Sequence, residues 1–132
     1  MTAAAAWVAA EPAARRVFGT TYSDVRLLGR PLSRRRWRSV GIAFHLANGA
    51  AAGVAFSRLG LRGWKAGVVA AQIENVALWP GMAVVDRFHP DRRSGHWPRL
   101  LGNPRVFGQE VALHALFGAV LGALAPAADP NS

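Results

Sequence analysis

Glu110 and His114 stand four residues apart in VFGQEVALHALFGAV, so on a helix an acid and an imidazole share one face. Two further apolar runs carry similar intruders: His45 and Asn48 in AFHLANGAAAG, and Glu74 and Asn75 in AAQIENVALWPG. Such groups allow three kinds of chemistry. His45, Glu74, Glu110 and His114 could ligate a divalent metal, although the spacing is not HExxH and no second metal motif stands nearby. The same acids and imidazoles could pass a proton or an ion along a path. A third option is general acid and base catalysis on a lipid or isoprenoid, with Glu110 and His114, or Asp86 and His89 of DRFHPDRR, as the pair and arginines for phosphate. Against all three stands a plainer reading, in which polar groups bond between helices and fix their register at about 0.6 kcal/mol each. Asp86 and His89 read equally well as a helix terminus ahead of Pro90.

The elements that must position these groups are apolar. Segments 39–57, 66–85 and 106–125 hold no Lys or Arg, and each is long enough to cross a hydrocarbon core of ~30 Å at ~1.5 Å per residue. A shorter run opens the chain and predicts a helical segment over about 1–18. No positive residue precedes that run, and Arg15 and Arg16 follow it, which does not suit a signal peptide. The mean hydropathy of +0.15 and the heavy load of alanine and glycine favour a membrane bundle over a water-soluble core. With no cysteine, disulfides and thiolate chemistry are excluded.

Charge is distributed unevenly. Eight of the 16 basic residues lie in or just before loop 19–38, five lie in loop 86–105, and Arg58, Arg62 and Lys65 occupy the short connection between the other two runs. If the first segment also spans, the two basic loops share one side, which the positive-inside rule makes cytoplasmic, with both termini outside. Trp37, Trp64 and Trp97 suit an interfacial belt. A net charge of +9 would otherwise raise nucleic acid as a partner, but no groove-reading motif accompanies it, and SRRRWR suits anionic lipid instead. In TYSDVRLLGRPLS, Asp24 and Ser33 read as helix N-caps, with a short amphipathic surface helix burying Val25, Leu27 and Leu28.

These readings predict an all-α integral membrane bundle, one domain over 1–132, with three long transmembrane helices and a shorter N-terminal helix. A cytoplasm-facing polar pocket is expected from His45, Asn48, Glu74, Asn75, Glu110 and His114, rimmed by Glu11, Asp86 and His89. Gly49, Gly53, Gly118 and Gly122, at four-residue spacing, are the expected packing glycines. The function ranked first is a structural or accessory membrane protein without enzyme activity, ahead of translocation through an oligomer and ahead of the lipid enzyme. Its expected partners are the bilayer and either a second copy or another membrane protein. No cofactor is assigned beyond the metal option.

The segments TYSDVRLLGR, HLANGAAAG, IENVALWP, VDRFHP and LHALFG give the chain, from about residue 7 to 125, a resemblance to a group of small integral membrane proteins of high-GC bacteria. The resemblance implies a compact helical membrane bundle and transfers no activity or catalytic residue. The first apolar run is shorter than it implies, as expected if the natural start lies upstream.

Overall fold

A computed structural model of the protein describes residues 1–125; the rest of the expected 1–132 domain lies outside the described residues. Among them the architecture is all-helical, in the order α1 (Thr2–Phe18), α2 (Asp24–Gly29), α3 (Trp37–Arg58), α4 (Gly63–Leu78), a 3₁₀ turn (Trp79–Gly81), α5 (Met82–Phe88), α6 (Pro90–Arg93) and α7 (Pro104–Leu124). Three helical stretches are long and apolar enough to cross a membrane: Trp37–Arg58, Gly63–Phe88 and Pro104–Leu124. The second is broken where Pro80 cannot donate an amide to the α-helical ladder. Loop 86–105 is less irregular than its sequence suggested. It contains the last turn of α5 and all of α6, which starts at Pro90 because a missing N–H is harmless in a first turn.

Helix α7 is the centre of the bundle, with α4 on one side and α1 on the other, while α3 packs on α1 and α2. Glycine makes the close contact of α4 with α7 possible, as Gly29 and Gly41 do for α2 with α3. A Cβ on Gly67 would collide with the Gly118 carbonyl, one on Gly118 with the Gly67 carbonyl, and one on Gly122 with the Gly63 carbonyl. Close backbone approach of this kind gains dispersion contact between the two helices. Of the glycines expected to pack, Gly118 and Gly122 lie in this contact, and Gly49 lies against Ala4 of α1. Gly53 differs, since a Cβ there would meet only Leu121 at 3.7 Å, an ordinary contact. Gly67 was not anticipated, although it stands four residues from Gly63.

The two basic loops meet at one end of the bundle. Tyr22, Trp97, Leu100 and Val106 form a small buried cluster there, and the Trp97 indole N–H donates to the Thr21 carbonyl at 3.0 Å. Asp91, 1% exposed, accepts from Arg26 Nε at 2.8 Å, Arg26 Nη2 at 2.9 Å and Arg30 Nε at 3.1 Å. That knot ties α2 to α6. Burial alone would raise the Asp91 carboxyl, but the Arg26 and Arg30 guanidiniums outweigh it and hold the group below the ordinary carboxylate range.

The outward faces of the long helices are apolar. Val69, Ile73 and Val76 of α4 are 59%, 65% and 59% exposed, so α4 presents an apolar face outward.

Candidate functional site

Between the helices lies a cavity of about 330 Å³. His45, Asn48, Glu74, Asn75, Glu110 and His114 all line it, brought there from α3, α4 and α7. They do not contribute equally. Asn75 and Glu110 are buried, His45 and His114 are half-buried, and Asn48 and Glu74 are exposed at the mouth. Helices α3 and α4 make no extended contact with each other, so the mouth lies between them. Helix α2, through Asp24, Leu27 and Leu28, lines the cavity at the loop end.

Among the lining residues that were not anticipated, Trp7 and Asp24 carry polar groups that bear on the site. Trp7 shares the buried face of α1 with Ala3 and Glu11 by four-residue spacing, a signal the sequence carried but in a run too short to stand out. Its ring meets the His114 ring edge-on at 4.6 Å and the His45 ring at 5.1 Å. Asp24 was expected to cap α2, but Ser23 does so, its hydroxyl accepting from the Arg26 amide at 3.2 Å. Ser33, the other expected cap, accepts from the Arg36 amide in a turn one residue before α3. With the cap supplied by Ser23, the Asp24 carboxylate turns inward and accepts from the Tyr22 hydroxyl at 2.9 Å.

Polar neighbours hold the site together only in part. Gln72 Nε2 donates to the Val111 carbonyl at 2.8 Å, tying α4 to α7, and Asn75 Nδ2 donates to Gln72 Oε1 at 3.4 Å. His114 Nδ1 lies 2.8 Å from the Glu110 backbone carbonyl and 4.0 Å from its carboxylate, so the imidazole is bonded to its own helix and not to the acid beside it. Asp24 lies within reach of both the Glu110 carboxyl and the Trp7 indole N–H, but Asp24 Oδ2, Glu110 Oε1 and Trp7 Nε1 form no well-aligned hydrogen bond, and neither does His45 Nε2. Four buried polar atoms without well-aligned partners in one cavity are unusual for a folded chain and mark the place where a ligand could supply them.

The expected rim divides. Glu11, 5% exposed, sits behind the cavity among Ser23, Val25 and Asp24. Asp86 and His89 serve the loop end instead. The Asp86 carboxylate accepts from the amides of Leu100 and Leu101 and from Arg92 Nε. His89 Nδ1 caps α6 by accepting from the Asp91 amide, and its ring stacks on Trp97 at 4.4 Å. The Asp86 carboxylate and His89 Nδ1 are therefore occupied in holding the loop, while His89 Nε2 makes no well-aligned hydrogen bond. The four metal candidates converge no better, since no group of three or more His, Asp or Glu residues is arranged to hold an ion among the described residues.

Burial and the neighbouring Glu11 raise the Asp24 carboxyl from 3.8 to about 7. Burial, with Asp24 next to it, also pushes the Tyr22 phenol well above its usual range, so it remains a donor to that carboxyl. The unfolded chain releases the Asp24 proton near 3.8, whereas the folded chain keeps it to about 7. The stability this group gives is therefore full below 3.8 and declines as pH rises to about 7. Asp24→Asn should remove that decline. We expect the variant to exceed the parent by about 1–3 kcal/mol at pH 8, with the difference closing toward pH 4, in thermal melts of detergent-solubilised protein.

No protein-family model matches the chain, and neither do the curated proteins or the solved structures.

Proposed function

We propose that this chain is a small multi-pass integral membrane protein whose cavity binds an amphiphile entering sideways from the bilayer, in an accessory and non-catalytic role. Its three long helices span the membrane and α1 crosses beside them, so that the two basic loops lie on the cytoplasmic face and both termini on the other. The observation that carries the reading is the cavity itself. Buried acids and imidazoles form its inner wall, and its mouth lies between two helices whose outer surfaces are apolar. A polar pocket with a lateral mouth is expensive in lipid unless something polar enters it.

Quenching of tryptophan fluorescence by 11-bromoundecanol in micelles tests the reading, because Trp7 lines the cavity and bromine quenches at short range. The expected result is a saturable component that disappears in the double variant Trp7→Phe/Trp79→Phe, since both rings line the cavity, and is blocked by Ala52→Phe, which fills the cavity from α3. Quenching that rises without saturation, or that survives in both variants, would remove it.

A further inference from the structure

The cavity selects a sign of charge. The chain has 16 Lys and Arg against seven Asp and Glu, yet the cavity is lined by Asp24, Glu74 and Glu110 and by no Lys or Arg. Asp24 and Glu110 are 8% and 3% exposed and neighbour each other, and each has one oxygen without a well-aligned hydrogen bond. His45 Nε2 adds a third such atom from a third helix. In the neutral imidazole with its proton on Nδ1 that atom is an acceptor.

Three of the four atoms, on α2, α7 and α3, are acceptors that need donors, while the fourth, the Trp7 indole N–H, has Asp24 beside it; each buried polar atom left unpaired costs about 1–3 kcal/mol. A primary ammonium carries three N–H donors and no acceptor. Its charge suits the two carboxyls, which lie on the same wall as the Trp7 ring. Leu78, Met82 and Val85 line the same cavity and suit a hydrocarbon tail. A fatty acid would place a carboxylate against carboxyls, and a quaternary ammonium would bring charge without donors. We propose that the cavity is a site for amphiphiles with a primary ammonium headgroup, the nitrogen held among Asp24, Glu110 and His45 and the tail leaving between α3 and α4. This inference rests on the cavity being an amphiphile site open to the bilayer.

Displacement of 11-bromoundecanol by dodecylamine, dodecanol and dodecanoate tests it. Dodecylamine should displace the probe at a concentration at least tenfold below that of dodecanol, and dodecanoate should be the weakest. In Glu110→Gln and in Asp24→Asn the amine should fall to within about twofold of the alcohol, while probe quenching persists and reports an intact fold. Equal potency of amine and alcohol, or preference for dodecanoate, would overturn the ammonium assignment while leaving the amphiphile site standing. Absence of saturable probe quenching in the parent would overturn both. Displacement by diacyl phosphatidylethanolamine and not by phosphatidylcholine would identify a lipid headgroup as the source. Displacement by neither, with the dodecylamine preference retained, would identify a free amine. Equal displacement by both lipids would count against the proposal.

Discussion

Gly67→Leu should prevent the bundle from forming, at a cost of about 3 kcal/mol or more, while Gly53→Ala should be neutral or stabilise by up to about 1 kcal/mol. The two glycines have similar sequence settings and opposite surroundings. A side chain at Gly67 meets the Gly118 carbonyl and the Gly122 amide, which are helix backbone and cannot move aside without separating α4 from α7. At Gly53 the nearest atom to a new methyl is a Leu121 methyl at 3.7 Å, and alanine is the better helix former. Thermal unfolding in detergent, followed by circular dichroism, measures both. A Gly67→Leu protein melting within 2 °C of the parent, an interval of order 0.5 kcal/mol, would show that the α4 and α7 backbones are not in contact.

Asp91→Ala should be the most damaging substitution at the loop end, at about 3 kcal/mol, because it strands two arginines that share one buried carboxylate. Its depressed folded value gives the sign of the pH effect. The contribution is full above the ordinary value of 3.8 and is lost as pH falls below it. The parent should therefore lose stability steeply in acid, while Asp91→Ala, already without the knot, should show a shallower acid limb. Limited proteolysis of loop 89–103 provides a second readout, with cleavage accelerated in the variant at neutral pH. Equal cleavage rates in the two proteins would mean that the ion pairs do not hold the loop.

Much of the fold was legible because a helix repeats every 3.6 residues and a membrane segment must be about 20 residues long. The runs at 39–57 and 66–85 lie within the first two long helical stretches, and the run at 106–125 overruns the third by one residue, Ala125. Four-residue stepping also placed Glu110, His114, Gly118 and Gly122 on one face, and the first two line the cavity while the glycines meet α4. What the sequence hid was decided by competition or by distance. Ser23 and Asp24 are both good caps, and only one can take the position, so the inward turn of Asp24 has no periodic signal. The Asp91 knot spans 65 residues from Arg26, and a local reading of DRFHPDRR cannot pair it. Glu74 was expected to face the other helices from mid-membrane; it lines the cavity, but at the exposed mouth, because α3 and α4 do not close over it. Gly53 had the right spacing and lacks a close neighbour, since spacing places a residue on a stripe without saying what faces the stripe.

The account depends on hydrocarbon, and not water, covering the outer faces of the long helices. The chain has no cysteine, so single cysteines at Val54, Val69, Ile73 and Val76 can carry spin labels without background. Power-saturation measurements in nanodiscs, comparing relaxation by oxygen with relaxation by a nickel chelate, give the most direct test. All four labels should be accessible to oxygen and shielded from nickel, whereas a label at Arg35 in the basic loop should show the reverse. Nickel accessibility at Ile73 and Val76 equal to that at Arg35 would contradict the membrane placement on which the rest is built.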